Sequence, residues 1–277
     1  MSQVRELLSR AVARFPHSDT PQIDAELLLA TVLDTTTTWL KTWPETEIDR
    51  SKEKIYDQLV VRRAKGEPIA YIIGKRGFWT LDLLCNDSTL IPRPDTETLV
   101  RAALDLSLSE SASVIDLGTG TGAIALALAC EQPKWKISAI DSNYRAIELA
   151  IRNQQAMGVR LVEFFVSNWF ESVDSTSKFD LIVSNPPYVA DDDSHLDMGD
   201  VRFEPRSALV SKRNGYDDLM HIARVSTKKL NSGGWLLLEH GYQQGDTVAE
   251  YLRGQGYKKI FQRKDLEGQI RVTGGTL

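Results

Sequence analysis

Cysteine is scarce in this chain, since only Cys85 and Cys130 occur among its 277 residues. Two thiols are too few for a disulfide framework or a zinc knuckle, so each is expected to be a small buried hydrophobe. The histidines are also few and show no metal-ligand spacing; they are His17, His195, His221 and His240. The sequence therefore predicts no metal site.

Long apolar runs and an excess of positive charge are also missing. No stretch approaches the roughly 18 to 20 apolar residues that a membrane span needs, and the first residues lack the basic-then-apolar pattern of a secretory signal. The 33 Lys and Arg residues are outnumbered by 38 Asp and Glu residues, which gives a formal net charge of −5. Broad contact with nucleic acid relies on neutralising phosphates, which an acidic chain does poorly. We therefore expect a cytoplasmic protein with no membrane partner and no stable nucleic-acid partner.

What the chain does have is a dense group of glycines after a short apolar strand. The strand, Ser113 to Leu117, leads into Gly118-Thr119-Gly120-Thr121-Gly122, and the helical run Ile124 to Cys130 follows. Backbone without Cβ atoms lets a ligand approach the N-terminus of that helix closely. Asp116 places a carboxylate just before the turn, where the cationic amino-acid end of a ligand could bind.

The glycine turn alone leaves two cofactor classes open. Gly118, Gly120 and Ala123 also fit the dinucleotide fingerprint, and Asp141 ends the next strand, where a ribose-binding acid belongs. A nicotinamide or flavin oxidoreductase is therefore one alternative. A Walker-type phosphate loop is not, because no Lys-Ser/Thr pair follows the glycines.

A second motif, Asn185-Pro186-Pro187-Tyr188, follows the apolar run Phe179 to Val183. Two successive prolines remove two backbone donors and fix two φ angles, so the carbonyl groups of Asn185 and Pro186 stay free and rigidly aimed. With the Asn185 side-chain oxygen they form a set of acceptors for a planar NH2 group, and Tyr188 can lie on its π face. An amine held in this way presents its nitrogen to a neighbouring electrophile. This acceptor loop, together with Asp116, indicates S-adenosylmethionine as the cofactor and methyl transfer as the reaction.

Further segments carry a resemblance to a known family. They are Ser167-Asn168-Trp169-Phe170, Thr20 to Leu29, Gly66 to Gly74, Leu90-Ile91-Pro92-Arg93-Pro94-Asp95-Thr96-Glu97, and Phe203-Glu204-Pro205. Together with the glycine turn and the acceptor loop, they resemble the HemK/PrmC family, the release factor glutamine methyltransferases. The resemblance runs essentially from end to end of the chain.

The resemblance implies an activity and a partner. The activity is transfer of a methyl group to the side-chain amide nitrogen (N5) of the glutamine in the Gly-Gly-Gln motif of class 1 peptide chain release factors. Asn185, Pro186, Pro187 and Tyr188 would be the catalytic residues that hold this amide. A nucleic-acid methyltransferase acting on adenine or guanine amines would share the acceptor loop and is the main alternative. A protein that binds the cofactor without catalysis is another.

The resemblance also implies a set of cofactor-binding residues: Asp116, Gly118, Thr119, Gly120, Thr121, Gly122, Asp141, Asn168, Trp169 and Asn185. The glycines would pass under the methionine part, Asp141 would accept both ribose hydroxyls, and Trp169 would border the adenine ring. Asn168 departs from the family, where an acidic residue usually holds the adenine amino group. Its amide oxygen can still accept that bond, but without charge assistance. In the linker, Arg93 and Glu97 are expected either to help close this site or to form an inter-domain ion pair.

Apolar periodicity divides the chain into three segments. Residues 1–72 show helical spacing and predict a small helical bundle, which the resemblance makes a substrate-recognition domain; 73–92 predict a β-hairpin linker. Strands and helices alternate through 93–277, including a helix from Asp217 to Leu230 and a strand from Trp235 to Glu239. This alternation predicts an α/β fold with a mainly parallel, Rossmann-like sheet and sites at the strand C-termini. The resemblance implies the seven-stranded class I methyltransferase sheet with an antiparallel edge.

Overall fold

The computed structural model describes residues 1–159 and 162–277. The chain divides into two compact units. The first contains Met1–Lys75 and Ser194–Phe203, and the second contains Arg76–Asp193 and Glu204–Leu277. In the part of the chain that is described, no helix is long and apolar enough to cross a membrane.

The first unit is mainly helical. Its regular elements are β1 (Ser2–Gln3), α1 (Val4–Val12), α2 (Pro21–Leu33), α3 (Thr37–Thr42), β2 (Glu47–Ile48), α4 (Arg50–Ala64) and α5 (Ile69–Ile73), with short 3-10 turns at Ser194–Asp197 and Val201–Phe203. Helix α2 begins at Pro21 because the first turn of a helix needs no N–H from that position. Its buried Leu28 and Leu29 pack with Leu7 of α1 and Tyr56 of α4 in one apolar core.

The segment Ser194–Phe203 belongs to this helical unit, whereas the sequence prediction placed it in the catalytic domain. Arg63 of α4 holds it, because the guanidinium contacts Asp24 of α2 and Asp200 of the segment, each at 2.7 Å. Arg202 adds a hydrogen bond to the Lys65 carbonyl oxygen at 3.1 Å. Residues so far apart in sequence cannot be paired by local periodicity.

The second unit contains an α/β sheet and a hairpin. Its regular elements are β3 (Lys75–Phe78, whose first residue lies in the helical unit), β4 (Leu81–Leu84), α6 (Glu97–Leu104), β5 (Ser113–Leu117), α7 (Ala123–Glu131), β6 (Lys136–Asp141), α8 (Tyr144–Met157), β7 (Glu163–Val166), β8 (Phe179–Ser184), α9 (Lys212–Gly215), α10 (Asp217–Ser226), β9 (Leu230–Glu239), α11 (Gly245–Gly254), β10 (Lys258–Lys264) and β11 (Ile270–Thr276). Two 3-10 turns, Pro94–Thr96 and Arg206–Ala208, complete it.

Seven strands form one sheet in the order β10-β11-β9-β8-β5-β6-β7. The five strands from β9 to β7 are parallel, and β11 pairs antiparallel with both β9 and β10. Helices α6 and α7 cover one face, and α10 and α11 cover the other. The predicted class I methyltransferase sheet with an antiparallel edge is confirmed.

The hairpin β3–β4 is anchored to the rest of the second unit, which is called the catalytic unit below. Asn153 of α8 accepts from the Leu84 N–H at 2.7 Å and donates to the Leu84 carbonyl oxygen at 3.2 Å. At the other end, Glu97 accepts from the Trp79 N–H at 2.9 Å. Glu97 therefore holds the hairpin turn, and no inter-domain ion pair involves it in the described residues.

Two local predictions were wrong. The helix expected to reach Leu230 ends at Ser226. The strand expected to begin at Trp235 is β9, which begins at Leu230. Gly234 lies inside this strand, where a Cβ atom would come within 2.9 Å of the Phe179 carbonyl oxygen. The glycine is thus explained by close strand pairing at a register shift.

The expectation for the cysteines holds for Cys85, which is buried, but not for Cys130, which is exposed. Helix α7 is buried from Ala123 to Ala129, but the two residues that end it face solvent.

We expect Arg63→Ala to destabilise the helical unit by about 3 kcal/mol, because it leaves the buried Asp24 carboxylate without its counter-charge. Asp24 still accepts from the Ser18 hydroxyl, which limits the loss. Hydrogen exchange of the α2 and α4 amides measures the opening free energy. The matched control is Arg5→Ala, because the Arg5–Glu45 pair is exposed on both sides and should contribute less than about 0.5 kcal/mol. Equal effects of the two substitutions would contradict the role given to Arg63.

Candidate active site

The carboxyl ends of the parallel strands surround a cavity of about 290 Å³. Backbone and side chains of the catalytic unit line it, from the segment after the hairpin, the glycine turn, the end of β6, the loop after β7 and the acceptor loop. The predicted site residues in its wall are Gly118, Thr119, Gly120, Thr121, Asp141, Asn168, Trp169, Asn185 and Pro187. The structure thus brings together residues that lie up to 69 positions apart in the sequence.

The glycine turn has the left-handed backbone that only glycine adopts without strain, with φ of +73° at Gly118 and +55° at Gly120. The N–H groups of Gly118 and Thr119 both donate to the Ile140 carbonyl oxygen, at 2.9 and 2.8 Å, so the turn is tied to β6. Gly122 is not part of the cavity wall. A Cβ atom there would lie 3.1 Å from Leu126 and 3.2 Å from Ala150, so this glycine permits close packing at the start of α7.

Asp116 lies at the end of β5, behind the glycine turn, and is fully buried. Its Oδ2 accepts from the Thr119 hydroxyl at 2.6 Å, while its Oδ1 has no hydrogen-bond partner. Burial raises the pKa of Asp116 to about 7, with a smaller contribution from the charge of Asp141. A buried carboxylate oxygen without a partner is costly, and a cationic ligand at the turn would relieve that cost.

Asp141, at the end of β6, is held by two backbone donors. The Gly120 N–H donates to one carboxylate oxygen at 3.0 Å, and the Asn143 N–H donates to the other at 2.9 Å. Each oxygen keeps a second lone pair, so both can still accept. Burial raises the pKa of Asp141, and these hydrogen bonds oppose the rise. Asn143, not Asp141, caps α8, because its side chain accepts from the Arg145 N–H at 3.0 Å.

The loop after β7 places Trp169 over the glycine turn. A Cβ atom on Gly118 would lie 3.5 Å from the indole ring. Trp169 has a φ of +47°, which is unusual for a bulky residue, and the buried Ser167 hydroxyl holds this shape by donating to the Trp169 carbonyl oxygen at 2.7 Å. Next to it, the Asn168 side-chain nitrogen donates to Glu171 at 2.7 Å. The Asn168 amide oxygen therefore remains available to a donor in the cavity.

The acceptor loop begins directly after β8. The Asn185 side-chain nitrogen donates to the Thr96 hydroxyl oxygen at 3.1 Å, so its side-chain oxygen is left for another donor. Pro186 is buried and Pro187 lines the cavity. Tyr188 lies outside the cavity wall, where its half-buried ring packs on the core beneath α10 and α11. Burial raises the pKa of Tyr188, so the phenol stays protonated.

Two residues of the site were not singled out from the sequence. Thr96 lies in the Ile-Pro-Arg-Pro-Asp-Thr-Glu segment, whose resemblance was noted without assigning this residue a role. Glu239 ends β9 beside the acceptor loop and is buried. Burial raises the pKa of Glu239 to about 7, and the nearby Thr96 and Asn185 side chains oppose the rise. A carboxylate at the end of a strand adjacent to β8 was the available signal for Glu239.

Arg93 lines the cavity and pairs with Glu204, whose side chain is fully buried. Glu204 also accepts from the Ile91 N–H at 2.9 Å. Ile91 and Arg93, from the segment Leu90 to Glu97, thus contact Glu204 inside the catalytic unit. Among the residues described, no group of three or more His, Cys, Asp or Glu side chains could hold a metal ion.

Two family models match this chain, one in the helical unit and one mainly in the catalytic unit. Residues 6–74 match the PrmC N-terminal domain, and residues 95–215 match the Methyltransferase small domain. Proteins called release factor glutamine methyltransferase match nearly the whole chain. That of Aliivibrio fischeri is 45% identical over 98% of this chain and 96% of its own length. That of Vibrio cholerae is 48% identical over 93% and 90%, and that of Pseudomonas aeruginosa is 47% identical over 95% of both.

This chain belongs to the release factor glutamine methyltransferase family. The family depends on S-adenosylmethionine, so the chain is a methyltransferase and the oxidoreductase alternative is wrong. Solved structures agree on the fold: a methyltransferase from Pyrococcus furiosus has a TM-score of 0.54 at 18% identity, covering 78% of this chain and 96% of that one. The catalytic domain of human Mettl16 has a TM-score of 0.57 at 15% identity, covering 79% and 81%.

We expect Asp116→Asn to make the free energy of unfolding of the cofactor-free enzyme less dependent on pH. The pKa of Asp116 is raised to about 7 in the folded state, from about 3.9 when unfolded, so the folded state binds its proton more tightly. The stability due to this proton is present at low pH and is lost as pH rises towards 7. Between pH 5 and pH 8 the wild type should lose about 2 to 3 kcal/mol relative to Asp116→Asn, measured by urea unfolding. A constant difference across this range would show that folding does not raise the pKa of Asp116, and would contradict the expectation.

Proposed function

We propose that this enzyme transfers the methyl group of S-adenosylmethionine to the side-chain amide nitrogen (N5) of the glutamine in the Gly-Gly-Gln motif of class 1 peptide chain release factors. The observation that carries the proposal is the extent of the similarity. Proteins called release factor glutamine methyltransferase match nearly the whole chain and thus both of its units. The likeness is therefore not limited to the glycine turn and acceptor loop, which many methyltransferases share.

The residues around the cavity fit the cofactor. The unpartnered Oδ1 of Asp116 suits the cationic amino-acid end, and the second lone pairs of Asp141 suit two ribose hydroxyls. The Trp169 ring supplies an apolar border for adenine, and the Asn168 oxygen suits its amino group. When bound, S-adenosylmethionine supplies an electrophilic methyl group on a sulfonium.

The acceptor loop fits the other reactant. A glutamine amide nitrogen is a poor nucleophile because its lone pair is delocalised into the carbonyl. The Asn185 side-chain oxygen and the Pro186 carbonyl oxygen would each accept one N–H of the amide and fix its plane. Positioning of this kind can lower a barrier by about 7 to 11 kcal/mol, so no strong base is needed to start the reaction. The proton can leave after attack.

The same acceptors give selectivity. A side chain without an NH2 group leaves the oxygens of Asn185 and Pro186 unpaired, at a cost of about 1 to 3 kcal/mol each. Tyr188, which was predicted to lie on the π face of the amide, packs on the core outside the cavity wall, so it would support the acceptor loop from behind. The helical unit would bind the body of the release factor.

In the direct test, the enzyme and labelled S-adenosylmethionine are incubated in parallel with each of four substrates: release factor, tRNA, rRNA and DNA. We expect label in release factor alone, on the glutamine of Gly-Gly-Gln. The matched control is a release factor in which that glutamine is replaced by glutamate, which lacks the NH2 group and should take up no label. A short Gly-Gly-Gln peptide should be labelled with a higher KM than the intact factor, because it lacks the body that the helical unit would bind. Label in nucleic acid with none in release factor would establish the nucleic-acid alternative instead.

A further inference from the structure

The Asn185 side chain can hold a substrate amide in only one of its two orientations. Rotating the terminal amide by 180° exchanges oxygen and NH2 with almost no change in shape. With the oxygen towards the cavity, it accepts from a substrate N–H. With the NH2 group towards the cavity, donors face donors and the substrate amide is repelled. The acceptor loop therefore depends on whatever fixes this rotation.

The sheet places Glu239 beside Asn185. In the parallel pairing of β8 with β9, Ser184 is opposite Leu238. Asn185 directly follows Ser184, and Glu239 directly follows Leu238. Side chains at matching positions of paired strands lie on the same side of the sheet. Glu239 is 1% exposed, and its Oε2 has no hydrogen-bond partner.

We infer that Glu239 is a positioning residue, which turns the nitrogen of the Asn185 side chain away from the substrate and its oxygen towards it. In its ionised form the Glu239 carboxylate only accepts hydrogen bonds, so it favours the Asn185 orientation with NH2 pointing inward. Thr96 completes the arrangement, because its hydroxyl oxygen accepts from the same Asn185 nitrogen at 3.1 Å. The flipped amide would instead bring its oxygen against the carboxylate. The inference rests on the proposed function, because it takes the substrate amide as the group that Asn185 holds.

The test is a double-mutant cycle between Glu239 and Asn185. Glu239→Gln keeps the volume of the side chain but replaces one acceptor oxygen with an NH2 group. The glutamine can therefore donate to the Asn185 oxygen or accept from the Asn185 nitrogen, so it favours neither orientation. We expect it to lower the single-turnover rate about 10- to 100-fold at saturating substrate, the scale of a small misplacement of reacting groups. The dissociation constant for S-adenosylmethionine, measured by calorimetry, should stay within about twofold of wild type, which also shows that the variant is folded.

In the Asn185→Ala background, Glu239→Gln should lower the rate by less than about twofold further, because nothing remains to be oriented. A purely structural role would make the two losses multiply. The inference is overturned by multiplying losses, or by a Glu239→Gln rate within about twofold of wild type.

A second variant keeps the test decisive if Glu239→Gln fails to fold. Thr96→Val removes the other acceptor of the Asn185 nitrogen at nearly constant shape, and it should lower the rate in the same way and lose its effect in Asn185→Ala. The outcome can be separated from that of the proposed function. If the wild type labels RNA and not release factor, the proposed function fails, and the cycle can be measured on that RNA. If it labels release factor but the losses multiply, only the role of Glu239 fails.

Discussion

The parallel pairing of β5, β6, β8 and β9 is the constraint on which the rest of the site depends. Parallel strands end at the same edge of a sheet, so residues at or beside those ends come to one place. Here Asp141 and Glu239 end β6 and β9, Asp116 is the last residue but one of β5, and Asn185 directly follows β8. A change of register by one residue in any of these strands would turn its side chain to the opposite face.

This arrangement concentrates carboxylates in a poorly solvated region. Burial is the largest cause of the raised pKa at Asp116, Asp141 and Glu239. Such groups disfavour the folded state at neutral pH, and they are typical of functional sites. Asp116 and Asp141 face the glycine turn, where a cation and hydroxyl groups would satisfy them, whereas Glu239 faces the acceptor loop. In the proposed function, one end of the sheet would thus provide both a cofactor side and a substrate side.

The sequence predicted the parts of the site that are local in the chain. Gly118 to Gly122 and the acceptor loop each combine a strand end with a turn that few residues can form, and the structure places part of each in the cavity wall. Residues that act through long-range contacts were missed. Glu239 gains its meaning only from the strand order, which places β9 next to β8. Similarly, Arg63 meets Asp200 across 137 positions, so the extent of the helical unit could not be read from periodicity.

In the proposed function, Asn185 acts on the substrate amide through its side-chain oxygen. A single-turnover assay saturated with both substrates, comparing Asn185→Ala with wild type, tests this role. We expect a loss of roughly 10²- to 10³-fold, the usual effect of removing one preorganised polar contact at a reacting centre, with cofactor affinity preserved. A rate within about threefold of wild type would contradict it.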